Sequence, residues 1–258
     1  VGGYITVPGG GGEITGIPKG MTVPPEMRMG VVRNPAEVRR KVDLMFGKGA
    51  DSIKLIATGA VLTEGTEPGQ IELSGPEIAA AVKAARTHGS WVTSHAHGAA
   101  GIRLAILNGS RGIEHASLID DEGIALAKAR GTYLDMDVYN GDYIADVGRK
   151  EGWSAAILRK NDETTEAQRQ GFAKAVKAGV KLPFGTDAGV FPHGVGAESA
   201  EAGGLEQRMM ALAGDVEHGL RVQPARAVPG EPRKTVHERR QERRVVGLRP
   251  TGGEDTVA

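Results

Sequence analysis

The chain has 258 residues, a length suited to one large α/β domain or two small ones, and 40% of them are apolar, enough for a core. Its formal net charge is zero, so charge alone gives no nucleic-acid or anionic-membrane partner. Cysteine is absent, which excludes disulfides, zinc–thiolate sites and cysteine nucleophiles. No apolar run reaches the roughly 18 to 20 residues of a membrane span. The opening Val-Gly-Gly-Tyr has no initiator Met, basic region or apolar stretch. The numbering is therefore expected to begin inside a longer protein, and a cytoplasmic location is the default expectation.

Residues 1–33 are rich in Gly and Pro, with Gly9 to Gly12 in one run. Such a run cradles phosphate when it joins a strand to a helix N-terminus. No periodic helix follows closely here, so the run reads as a mobile active-site loop. Asn34-Pro35-Ala36-Glu37 then opens a helix, with Asn as N-cap, Pro in the first turn and Glu three residues after the cap. A strand over 51–57 follows, and Ser74-Gly75-Pro76-Glu77 opens a second helix by the same logic. Further along, the pattern predicts strand 91–95, a helix at about 99–108 and strand 112–116. Asp120-Asp121-Glu122 then starts another helix, with its acids at the positive end of the dipole. Strand 132–138, a long loop, a helix at about 163–178 and strand 181–187 complete the pattern.

Five strands alternating with helices argue for a parallel sheet. Lys54, His95, His115 and Asp187 each sit at the carboxyl end of one of these strands. In a parallel α/β barrel those ends converge on one face, so a barrel fits better than an open sheet. Five strands make part of an eight-stranded barrel. Two imidazoles, a carboxylate and a lysine converging there suggest a divalent metal site. Each residue also has a plainer reading. Lys54 between Ile53 and Leu55 points into the barrel if those two face the helices, and a buried ammonium needs a carboxylate partner or conversion to a carbamate. His95 and His97 lie on the same side of an extended strand, so either is a candidate. Glu114 is expected to point away from His115, which leaves a buried structural histidine as the alternative for His115. Asp187 alternatively caps the turn after Gly185-Thr186. No Ser-His-Asp arrangement at suggestive spacing supports serine catalysis.

Five stretches together carry a family resemblance: I-T-V-P-G-G-G-G near the start, I-K-L-I-A-T-G-A-V, S-H-A-H-G, S-R-G-I-E-H-A-S-L-I-D-D-E and F-G-T-D-A-G-V-F-P-H-G. The chain resembles the amidohydrolase superfamily, in the branch of imidazolonepropionase-like amidohydrolases and Xaa-Pro (prolidase-type) dipeptidases. The resemblance implies a (β/α)8 barrel, here about strands four to eight, with one or two divalent metals, zinc above all. It implies that Lys54 is carboxylated and bridges two metals. His95 and His115 would be the strand-five and strand-six ligands, and Asp187 the strand-eight aspartate. The implied chemistry is hydrolysis of an amide or peptide C–N bond in a small-molecule or dipeptide substrate. Asp187 would move the proton, with His97, Tyr139 and His193 as substrate contacts. Tyr139 is equally readable as an ordinary half-buried loop tyrosine.

Two departures qualify these expectations. The superfamily's His-x-His pair at the end of strand one has no counterpart, since the only such pair here is His95-His97. From Val195 onward the pattern stops: there is no Ile, Phe, Tyr or Trp, and nine arginines stand against one lysine. The division expected is a partial barrel over 1–194 and a non-family, irregular tail over 195–258, with translation in the wrong frame as the explanation. An arginine-rich nucleic-acid tail is weakened by the interleaved glutamates. The chain is therefore expected to bind at most one divalent ion, weakly, with impaired hydrolysis. Two other readings stand beside this one: a non-catalytic relative acting as a binding or structural protein, and a phosphate-binding α/β protein using Gly9–Gly12. No nucleic acid or membrane is expected as a partner, and a homo-oligomer is left open.

Overall fold

The computed structural model describes residues 3–14, 20–187 and 190. The chain divides into two units, Val1–Glu217 and His218–Ala258, and every described residue lies in the first. The expected boundary at 194/195, the expected irregular tail and His193 all lie outside the described residues.

Five strands form one sheet in sequence order: β1 (Tyr4–Ile5), β2 (Ile53–Ile56), β3 (Val92–Gly98), β4 (Gly112–Leu118) and β5 (Tyr133–Asp135). All neighbouring pairs are parallel. Helices α1 (Pro35–Gly47), α2 (Gly75–Thr87), α3 (Ala99–Leu107) and α4 (Asp121–Arg130) link them, followed by α5 (Asn140–Glu151) and α6 (Ala155–Ala178). This is a partial (β/α)8 barrel. Among the described residues no helix is long and apolar enough to cross a membrane.

The caps work as the sequence implies. Asn34 Oδ1 accepts from the Glu37 amide at 2.9 Å, and the Glu37 carboxylate accepts from Arg33 N at 2.9 Å. The Ser74 amide donates to Glu77 at 2.8 Å, and Asp120 accepts from the Gly123 amide at 2.8 Å. Each satisfies helix-end amides that would otherwise lack partners. Alternation in β2 buries Ile53 and Leu55 completely in the layer beneath the helices. Lys54, between them, turns to the opposite side.

Several elements differ from expectation. β1 is a strand inside the stretch that its glycines and prolines mark as loop, and its partner is β2. The long loop expected after strand 132–138 contains α5, and α6 begins at Ala155 instead of about 163. Glycine lowers helix propensity by about 1 kcal/mol, and α5 carries two internal glycines, which hides it. Packing demands both: a Cβ on Gly141 would collide with Thr165, and one on Gly148 would lie 3.0 Å from Leu158. The first half of α6 is concealed because part of its buried face is polar, formed by Lys160, Asn161, Thr164 and Gln168. The strand expected over 181–187 is reduced to one parallel bridge between Lys181 and Tyr133, with Leu134 N donating to Lys181 O at 2.9 Å.

The Gly9–Gly12 run is anchored. Gly11 N donates to both oxygens of Glu72 at 2.8 Å, Gly12 N donates to Thr6 Oγ1 at 3.3 Å, and Thr63 Oγ1 donates to Gly11 O at 2.7 Å. The Gly11 amide that a phosphate would require is already taken by a carboxylate, which weighs against the phosphate reading.

Candidate metal centre

Lys54, His95, His97, His115 and Asp187 converge on one cavity of about 240 Å³ at the carboxyl ends of the strands. Tyr139 stands just before α5 and does not line it. Asp137, Asn140 and the polar face of α6 complete one side, while Val61, Leu62 and Ile144 make an apolar wall.

The three histidines form its centre. Ring centroids lie 4.6 Å apart for His95–His97 and His95–His115, and 4.9 Å for His97–His115. One ring nitrogen of each lies within 4.8 Å of the others, and all three residues are buried. His115 belongs to a second group with Asp137 and Asp187 under the same criterion. Burial, then the neighbouring imidazoles and Lys54, hold His95 and His97 well below the ordinary histidine pKa. Both are neutral at pH 7, the form that ligates a metal. Burial also lowers His115, but the charge and hydrogen bond of Asp137, with Asp187 behind, outweigh it and raise the net value.

Backbone strain concentrates here. The described non-glycine residues with positive φ are His115 (70°), Ala116 (47°), Asp137 (37°) and Asp187 (47°), and three of the four supply the cluster. Left-handed backbone is costly for such residues and collects at sites where surrounding structure enforces it. At the same place the β3–β4 register shifts, between Ala96 and Gly98. Regular alternation therefore fails in β4, and the expectation that Glu114 points away from the site is corrected. Glu114 ion-pairs with Lys54 and accepts from Thr93 Oγ1 at 2.7 Å, while the adjacent His115 reaches Asp137 at 3.0 Å. Lys54 thus has the carboxylate partner that a half-buried ammonium requires.

Asp137 was not anticipated, although it follows the rule that found the others: an ionisable residue just past a strand's carboxyl end. Asn140 Nδ2 bridges the two acids, donating to Asp137 at 2.7 Å and to Asp187 at 3.1 Å. The Asp187 carboxyl is raised in pKa by burial and by Asp137, against the opposing pull of His115. Gln168 Nε2 donates to the carbonyls of His115 (3.0 Å) and Met136, fixing the strained backbone from α6.

Asp135 lies beneath this cluster with Oδ1 buried and unpaired. Burial, then Asp137 and Glu114, push its pKa up to about 6, against about 3.9 unfolded. A carboxyl raised in the folded state destabilises wherever it must ionise. The penalty is absent below pH 4, grows as pH rises and is complete above about 6. Two units correspond to about 3 kcal/mol, and partial exposure reduces this to about 1–2. Asp135→Asn is expected to stabilise the metal-free chain by that amount at pH 7.5 and by nothing at pH 3.5. Urea unfolding at both values checks it.

Residues 6–227 match the Amidohydrolase family. The chain belongs to that family. Within it, the chain is 33% identical over 155 residues to ochratoxinase of Aspergillus niger, covering 58% of this chain and 31% of that protein. The crystal structure of a Xaa-Pro dipeptidase with methionine bound in its active site superposes with a TM-score of 0.68 at 32% identity, over 82% of this chain and 51% of that one. The A. niger ochratoxinase structure gives 0.65 at 28% identity, over 81% and 51%. A prolidase complexed with N-methylphosphonate-L-proline gives 0.67 at 28% identity, over 81% and 53%. The chain spans about half the length of these amidohydrolase-family structures.

Proposed function

We propose that this chain is a metal-dependent hydrolase of amide or peptide C–N bonds, acting on dipeptides or similarly small amides. The observation that carries the reading is the cluster of three buried imidazoles beside Asp137 and Asp187 at the strand ends. Its nitrogen and carboxylate-oxygen donors suit a divalent ion of the zinc type. His95, His115 and Asp187 would hold it; Lys54, here an ammonium on Glu114, would join them only as a carbamate. When bound, such an ion supplies Lewis acidity, which polarises a carbonyl and acidifies water.

The chain's own residues do the rest. Asp187, with its raised pKa and its hydrogen bond from Asn140, takes the proton of the attacking water and returns it to the departing amine. Val61, Leu62 and Ile144 receive an apolar substrate group and exclude water from the reacting carbonyl. His193, which follows Asp187 in sequence, is proposed to contact the rest of the substrate. Relatives named as a Xaa-Pro dipeptidase, a prolidase and an ochratoxinase support this substrate range.

The test is hydrolysis of a panel of Xaa-Pro and Xaa-Met dipeptides by the purified chain, before and after chelation. Slow hydrolysis that chelation abolishes and zinc restores is expected, with at most one ion bound per chain. Hydrolysis indifferent to chelation, or no metal uptake, would overturn the reading.

A further inference from the structure

We infer that the amino-terminal face of the partial barrel carries a binding site for a compact phosphorylated anion, gripped by Arg86, Arg111 and Arg130. It lies at the opposite ends of β3, β4 and β5 from the histidine cavity and is independent of the hydrolase reading.

The ends of α2, α3 and α4 and the starts of the three strands enclose a second cavity, of about 340 Å³. Arg86 comes from the last turn of α2, Arg130 from the last turn of α4, and Arg111 from the position just before β4. Among the described residues no Asp or Glu lines this space. Elsewhere the chain pairs its arginines. Of the eleven in the described residues, seven lie within 4.0 Å of a carboxylate. Arg86, Arg111 and Arg130 are three of the other four, and all three share one cavity.

Helix C-termini favour basic residues, which accounts in part for Arg86 and Arg130. Arg111 lies on no helix, so it has no such account. Nor do the helix ends use up the charge. Each carries about half a negative charge, so α2, α3 and α4 together offset roughly 1.5 of the three positive charges. Part of that is already spoken for, because the amides of Ser90, Ser110 and Thr132 donate to last-turn carbonyls at 3.0, 3.1 and 2.9 Å. Lys181 adds a fourth cation beside the cavity, its Nζ donating to Gly131 O at 3.3 Å.

The geometry of Arg111 selects the ligand. Its guanidinium lies 4.6 Å from the centroid of the Trp91 ring and 5.9 Å from that of Tyr133. Stacking of this kind fixes the guanidinium plane and leaves its N–H edge free. A fixed planar fork matches two oxygens of one phosphoryl group. Three forks around a space of this size suit two linked phosphoryl groups. Trp91 is 44% exposed, so its ring also offers a stacking surface to a base carried by those phosphates.

The test is calorimetric titration of the full, metal-free chain with pyrophosphate. Binding with a Kd below about 1 mM is expected at low salt. Raising sodium chloride from about 50 to about 300 mM should weaken it at least about 5-fold, because the guanidiniums are exposed to screening. Arg111→Gln and Arg130→Gln should each weaken it by about 10-fold or more, the loss of a charge-assisted hydrogen bond. Lys174→Gln, which removes a cation from the other end of the α4 contact, should stay within about 2-fold of the parent. Far-UV circular dichroism confirms that each variant folds. Adenosine diphosphate binding more tightly than pyrophosphate would support the site and assign the base to Trp91; equal binding would support it with the phosphates alone as ligand. No pyrophosphate binding at low salt, or arginine variants that bind no worse than Lys174→Gln, would overturn the proposal.

Discussion

Lys160→Met is expected to cost about 2–4 kcal/mol of stability, although methionine nearly matches the lost volume. Lys160 is 1% exposed, and its Nζ donates to the carbonyls of Ala60 (2.9 Å), Thr63 (2.6 Å) and Thr66 (3.1 Å). Burial lowers its pKa, yet three carbonyl dipoles accept its three protons. The methionine removes every donor and strands buried acceptors, each worth about 1–3 kcal/mol when unsatisfied. The hydroxyl of Thr66 still reaches the Ala60 and Thr63 carbonyls at 3.4 and 3.2 Å, which moderates the sum. Because Ala60, Val61, Leu62 and Thr63 wall the cavity, faster hydrogen exchange over 60–66 should accompany the loss. A cost below about 1 kcal/mol in urea unfolding would show that water replaces the ammonium.

Asp187→Asn is expected to lower kcat by about 10²–10⁴-fold, the range typical of a lost general base. Because Asp187 is also proposed to hold the ion, bound metal is measured alongside, and the loss of rate should exceed any loss of metal. A base must be ionised, so activity falls as pH drops through the pKa of Asp187 in the metal-loaded enzyme. The variant should lose the limb as well as the rate. Retention of both the limb and kcat in Asp187→Asn would move the proton transfer to Asp137.

The site was legible in the sequence wherever local rules hold. Expected strand ends picked out Lys54, His95, His115 and Asp187, which line one cavity, and cap chemistry at Asn34, Ser74 and Asp120 placed three helix starts. The reading failed where tertiary structure overrides a local rule. Alternation put Glu114 away from the site, but positive φ at His115 and Ala116 breaks the alternation. Asp137 was masked by its place inside the expected strand 132–138, just before Tyr139. Lys160 and Gln168 read as solvent-facing polar residues of a helix, and only the loop carbonyls that they meet explain their burial. Similarly, α5 was hidden by Gly141 and Gly148, whose purpose is close contact with α6. A period in hydrophobicity cannot reveal a helix face that is polar and buried, or glycines chosen for a neighbour.

The central claim is that a divalent ion sits among the strand-end histidines and serves hydrolysis there. Anomalous diffraction from crystals of the chain grown with zinc, measured on both sides of the zinc absorption edge, tests this most directly. The account predicts one anomalous peak per chain, within bonding distance of ring nitrogens of His95 and His115 and of the Asp187 carboxylate. A peak elsewhere on the chain, or none at saturating zinc, would contradict it.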